Sequence, residues 1–246
     1  MGIFFDSNRA FSIMPKIGSR ANILLNNLVS HWSLDEASGT RSDSHSSNNL
    51  TDNNTVGNNT GIISNAADFV AANSEYLDVT SNSELETGDI DFTVSFWFRA
   101  DSVTGNQFLV SKENDPANRV WRVDLNGTTL RGFIFTSTNT VAANVNSSIT
   151  VSTATWYHVL MWHDSSGNTL YIRVDDTTED SAATSGTITA KSGSPFMIGA
   201  EYNSGSPNNI YDGRIDEVSF WKRLLSTGEK TDLYNSGSGR AYSYYE

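Results

Sequence analysis

The stretch DGRIDEVSFWKRLLSTGE, residues 212–229, places two adjacent acids, Asp216 and Glu217, inside an apolar run. Carboxylates in that setting suit three kinds of chemistry: acid and nucleophile on a glycosidic bond, oxygen ligands for a hard cation, or pairing with the nearby Arg214 and Arg223. Retaining hydrolysis needs two carboxyls roughly 5 to 5.5 Å apart across one sugar. In a regular strand, neighbours point to opposite faces, so Asp216 and Glu217 do not meet that condition. The other acid-rich stretch, ETGDID at residues 86–91, contains a glycine turn and fails too. His31, His45, His158 and His163 show no HExxH spacing, and no serine sits in a GxSxG elbow. There is no cysteine, which removes thiolate nucleophiles, thiolate zinc sites and disulfides.

The elements that carry these residues have a dominant period of two, punctuated by Gly, Asn, Ser and Asp clusters too frequent for long helices. In DFTVSFWFRA, Phe92, Val94, Phe96 and Phe98 form one face and Thr93, Ser95, Trp97 and Arg99 a partly wet one. VWRVDL and LRGFIF flank NGTT, and a four-residue connection sets Asp124 opposite Arg131 instead of opposing two arginines. TWYHVLMWH turns through DSSGN into TLYIRVD, whose Leu170, Ile172 and Val174 share a core face. DSSGN is faintly similar to a sialidase Asp box, but a hairpin turn accounts for it. Residues 36–65, rich in Asn and Ser, read as loop with at most one short strand. The helix is STGEKTDLYNSG, where Ser226 and Glu229 fit a capping box and Gly237 ends it.

Composition bounds the partners. The 246 residues are 37% hydrophobic and 11% aromatic, enough for one core, with no apolar run long enough to span a membrane. The net charge of −12 argues against a nucleic-acid surface, which needs clustered Lys and Arg. Arg9, Lys16 and Arg20 against Asp6 make the N-terminal arm mildly basic, and it contains no stretch of signal-peptide length. No secretory leader is expected, so the sequons at Asn49, Asn53, Asn58, Asn126 and Asn146 read as accidents of an Asn-rich chain.

Many short strands and one late helix describe an all-β, two-sheet antiparallel jelly-roll sandwich. The segments LVSHWSLDEASGT, AADFVAANSEYLDV, DFTVSFWFRAD, TATWYHVLMWHDSSGNTLYIRVDD, FMIGA and YDGRIDEVSFWKRLLSTGEKTDLYNSG, in that order, resemble the laminin-G-like domains of the concanavalin A-like lectin and glucanase superfamily. The resemblance divides the chain into an arm (1–27), a jelly roll (28–237) and a tail (238–246). It implies terminal strands lying side by side, and mostly non-catalytic modules that bind glycans or proteins. Glycosidases of the superfamily carry Glu, Asp and Glu at alternating positions of one strand, and this chain has no such run.

The resemblance also implies that a structural calcium, where members hold one, would sit where the first and last strands meet. Here that names Asp35 and Asp216, and the alternative is that the acids pair with arginines or backbone amides. Trp32, Trp97, Trp156, Trp221 and His158 fall in family motifs and are expected to pack. A glycan site needs an aromatic platform beside polar side chains. Outside those motifs, Trp121 stands near Asp115 and Arg119, while Tyr202 and Tyr211 bracket the polar loop NSGSPNNI, and these five are the glycan-site expectation.

The expected function is a non-catalytic lectin-like interaction module. The tail LYNSGSGRAYSYYE is similar to tails of laminin-G-like proteins encoded by tailed phages, which points to a surface-exposed structural or decoration protein of a virion. Such a module would dock on a capsid shell or other carrier, or self-associate, through residues 1–27. A free-standing carbohydrate-binding module accompanying a polysaccharide-degrading enzyme is the alternative, and a glycoside hydrolase a weaker one. Outside a virion, the expected location is cytoplasmic, or exported by another route.

Overall fold

A computed structural model describes residues 21–246. In chain order the strands are β1 (Leu28–Trp32), β2 (Thr51–Asn53), β3 (Gly57–Thr60), β4 (Asn65–Phe69), β5 (Tyr76–Val79), β6 (Phe92–Ala100), β7 (Asn106–Asp115) and β8 (Asn118–Asn126). There follow β9 (Thr129–Phe135), β10 (Val141–Thr150), β11 (Trp156–Asp164), β12 (Thr169–Val174), β13 (Asp180–Ala183), β14 (Phe196–Ile198), β15 (Glu201–Asn203), β16 (Ser206–Asn208) and β17 (Gly213–Trp221). One sheet runs β13-β12-β11-β6-β17-β4-β3, with β1 paired to the far half of β17. The other runs β10-β9-β8-β7-β14-β5-β2, with the β15–β16 ribbon on the end of β7. The first and last strands are therefore neighbours, as the resemblance implies.

The core between the sheets follows from alternation. Phe92, Val94, Phe96 and Phe98 of β6 and Leu170, Ile172 and Val174 of β12 face Val123, Leu125 and Ile134 of the other sheet. Each such side chain contributes roughly 1.5 to 3 kcal/mol by leaving water. Asp124 pairs with Arg131 as expected, but the ladder continues through Leu125–Leu130 to Asn126–Thr129, so the connection is two residues, Gly127 and Thr128, instead of four.

The outer face of β6 is drier than its polar residues suggest, because the C-terminal segment lies across it. Helix α1 (Ala21–Leu24) precedes β1, and helix α2 (Thr227–Tyr234) follows β17. Tyr234 stacks on Trp97 at 5.8 Å, while His158 donates to or accepts from Ser95 at 2.9 Å beneath it. A second apolar cluster joins Leu24, Leu28, Leu160, Trp162, Trp221, Leu225, Leu233 and Tyr245. The tail is thus part of the packing. Ser226 and Glu229 form the expected capping box, but Asn235, at φ 48°, caps the C-terminus two residues before Gly237. Residues 36–65 hold two short strands, β2 and β3, where the sequence suggested at most one.

A bulge in β17 changes the geometry of the two acids. Its register with β6 shifts between Asp216 and Ser219, and Glu217 adopts φ 51°. Ile215, Val218 and Phe220 all enter the core, so Asp216 and Glu217 share the outer face instead of alternating.

Candidate functional site

The acids of β17 lie under the loop that joins β3 and β4. Asp216 Oδ2 accepts from the amides of Ile62 and Ile63 at 2.8 and 3.1 Å, and Asp35 Oδ1 accepts from Asn65 at 2.8 Å. Asp35 and Asp216 therefore grip the same loop from two sides. Glu217 Oε2 stands 3.1 Å from His31 Nε2, and His31 Nδ1 is 2.7 Å from Ser219 Oγ. Burial pushes the Asp216 carboxyl up to about 8, helped by the charge of Glu217, and the Glu217 carboxyl up to about 9, helped by Asp35. Burial also lowers the His31 imidazole to about 4, so a neutral ring faces the raised Glu217 carboxyl, but His31 Nε2 and Glu217 Oε2 make no hydrogen bond among the described residues. Asp216 Oδ1 is buried without a hydrogen-bond partner among the described residues. Among the described residues, no three His, Asp or Glu side chains converge closely enough to hold a metal ion by themselves. Neither acid contacts Arg214 or Arg223, which pair with Asp68 and Glu229.

The site best built to meet a ligand lies on the outer face of the other sheet. Leu77 and Val79 of β5 point into the core, so Tyr76 and Asp78 point out; Phe196 and Ile198 of β14 do likewise and turn out Met197. Asp78 is the register partner of both Met197 and Thr51, and Asn53 stands opposite Tyr76. Asn53 Nδ2 donates to Asp78 Oδ1 at 2.7 Å. From β14 the chain turns at Gly199, φ 86°, where a Cβ would come within 2.6 Å of the Phe69 ring. This close approach aims β15 along β7 and brings Tyr202 to the rim.

Tyr76, Asp78, Ser81, Pro195, Met197 and Tyr202 line a pocket of about 340 Å³. Its third wall is the 193–195 loop, pinned by Gly193 N donating to Ser81 Oγ at 2.8 Å and by Lys112 Nζ donating to the Ser194 carbonyl at 2.8 Å. The floor is a buried thioether, the two phenols are half-buried, and the Asp78 carboxylate and the Thr80 and Ser81 hydroxyls also line it. Burial, with Asp78 and Tyr202 nearby, raises the Tyr76 phenol, which therefore stays a neutral donor. Two aromatic rings beside a few oriented polar groups suit the apolar faces and hydroxyls of a sugar.

Of the five residues expected to hold a glycan, Tyr202 alone lines this pocket. Trp121 is 0% exposed and stacks on Phe220 at 6.0 Å, so it is a core residue. VWRVDL already alternates Trp121, Val123 and Leu125 against Arg122 and Asp124; the polar residues upstream hid that signal. Tyr211 is also 0% exposed, packed on Phe69 with its hydroxyl donating to the Arg214 carbonyl. Both are removed from any ligand platform. Arg119 and Asp115 pair with each other, and Arg119 covers the Phe135 ring at 5.3 Å. Sequence reasoning missed Tyr76, Asp78, Asn53 and Met197. Alternation in YLDV put Tyr76 and Asp78 on one face, but only long-range pairing adds Met197 and Tyr202.

Residues 71–229 match the family described as the concanavalin A-like lectin/glucanases superfamily. The fold is similar to the binding domain of Paraclostridial Mosquitocidal Protein 1, at 20% identity and TM-score 0.72 over 87% of this chain and 53% of that one. It is also similar to domain 4 of AbnA, a GH43 extracellular arabinanase from Geobacillus stearothermophilus solved with arabinotriose, at 17% identity and TM-score 0.62 over 84% of this chain and 97% of that one. A third similar structure is the binding domain of botulinum neurotoxin DC in complex with SialylT, at 13% identity and TM-score 0.66 over 87% and 52%. The chain spans about half the length of the toxin binding domains, and the likeness at these identities is one of fold. No curated protein matches the sequence. On the match across most of its length, the chain belongs to the concanavalin A-like lectin/glucanases superfamily.

Proposed function

We propose that this protein is a non-catalytic, lectin-like module that binds a glycan in the Tyr76–Tyr202 pocket. The carrying observation is the pairing of two half-buried tyrosines over the Met197 floor with Asp78, oriented by Asn53, beside them. The fold neighbours solved with arabinotriose and with SialylT add support by analogy. Asp216 and Glu217, at 0% and 5% exposure, have no room for a sugar between them. Glu113 and Glu201, a second acid pair on β7 and β15, are equally enclosed at 0% and 2%. A glycan array tests the reading: the native chain retains ligands that Tyr202→Ala loses, and equal retention by both removes it.

The finer proposal is that the module is displayed on a larger particle, a virion shell being the favoured carrier, through the apolar and basic residues at the start of the chain. Ile3, Phe4, Phe5, Phe11, Ile13, Met14 and Ile17 support it, since each gains roughly 1.5 to 3 kcal/mol on burial. These residues lie outside the described ones. A structural calcium at Asp35 and Asp216 is proposed on one observation, the Asp216 Oδ1 buried without a hydrogen-bond partner among the described residues.

A further inference from the structure

We propose that the Tyr76–Tyr202 pocket selects uncharged saccharides and rejects those bearing a carboxylate, such as sialic or uronic acids. This inference rests on the glycan reading above and concerns which members of that class the pocket takes. The charge on its lining is one-sided: Asp78 is a carboxylate, and no Lys, Arg or His lines the pocket among the described residues. A sugar carboxylate is held elsewhere in proteins by a guanidinium or ammonium group. Here a bound one would meet Asp78 instead.

Among the described residues, the cations on the segments that flank the pocket are committed. Lys112 is 0% exposed and spends its ammonium on the Ser194 carbonyl beneath the loop. Arg119 is tied to Asp115 beyond Tyr202. Asp78 itself takes one donor, Asn53 Nδ2 at 2.7 Å, which fixes its orientation and leaves lone pairs for sugar hydroxyls. Asp78 is half-buried, so a second anion brought beside its carboxylate would be poorly screened. The net charge of −12 adds repulsion at longer range.

The test is a printed array pairing neutral oligosaccharides, lactose and arabinotriose among them, with sialylated or uronic-acid-bearing counterparts, probed with the full chain. Neutral members are expected to bind, and their acid-bearing counterparts at least about tenfold more weakly. Asp78→Asn should narrow that gap and Asp78→Lys close or invert it, while Tyr202→Ala loses both sets; thermal melts confirm that each variant is folded. Equal binding of acid-bearing and neutral members through the same tyrosines leaves the pocket and overturns the selection. A neutral preference unchanged in Asp78→Lys overturns its cause. Binding of no saccharide by the native chain removes both readings.

Discussion

At Asp216 and Glu217, burial and like charge act in the same direction, and something must neutralise them. Protons do so where no cation is bound. Both folded values, about 8 and about 9, lie above ordinary carboxyl values, so the folded state binds more protons than the unfolded chain. Their contribution is fully present below about pH 4 and is lost as pH rises through about 8 to 9, by up to about 1.4 kcal/mol per pH unit for each group. In chelator, the melting temperature should therefore fall between pH 6 and 9, and Asp216→Asn with Glu217→Gln should flatten that fall. Calcium competes with the protons at Asp216 and should raise the melting temperature at pH 8, an increase that Asp216→Asn abolishes. The same melt with calcium and with chelator would leave the cluster held by protons alone.

At the scale of elements, the C-terminal segment closes the outer face of the first sheet. Tyr245 is 2% exposed, packed against Trp221 and His31, while Trp221 Nε1 donates to the Leu24 carbonyl at 2.7 Å. Truncating so large a buried ring leaves a cavity, so Tyr245→Ala is expected to cost about 3 to 5 kcal/mol in urea denaturation. Ser226→Ala, which removes one half of the capping box, should cost about 1 kcal/mol. A Tyr245→Ala cost near zero would show the tail to be loosely attached. The sheets, their central registers and the helix start were legible because alternation, cross-strand charge and capping are local. The bulge was not: it is defined by a partner strand, and one extra residue in β17 moved Glu217 across the sheet. Tyr211 was misread for a related reason, since its polar neighbours concealed a ring buried by Phe69, far away in sequence.

At the scale of the whole molecule, the arm divides at a point the sequence did not mark. Leu24 is 1% exposed in the second apolar cluster, and the carbonyls of Ile23 and Asn26 accept from Arg223. Residues 23–27 thus belong to the domain's own packing, although the resemblance places its start at 28. Deleting residues 1–20 is expected to leave the melting temperature unchanged and abolish association with carrier or self. Deleting 1–27 should lower the melting temperature as well. Unchanged association after removal of residues 1–20 would refute docking through the arm.

A glycan held as proposed must touch both tyrosines and the methionine between them. The most direct measurement is an NMR titration of the full chain with a neutral oligosaccharide retained on the array, following the Met197 methyl group and the amides of β5, β14 and β15. The predicted result is saturable shifts at Tyr76, Asp78, Met197 and Tyr202, absent in Tyr202→Ala. Saturable shifts elsewhere, with these four unmoved, would contradict it.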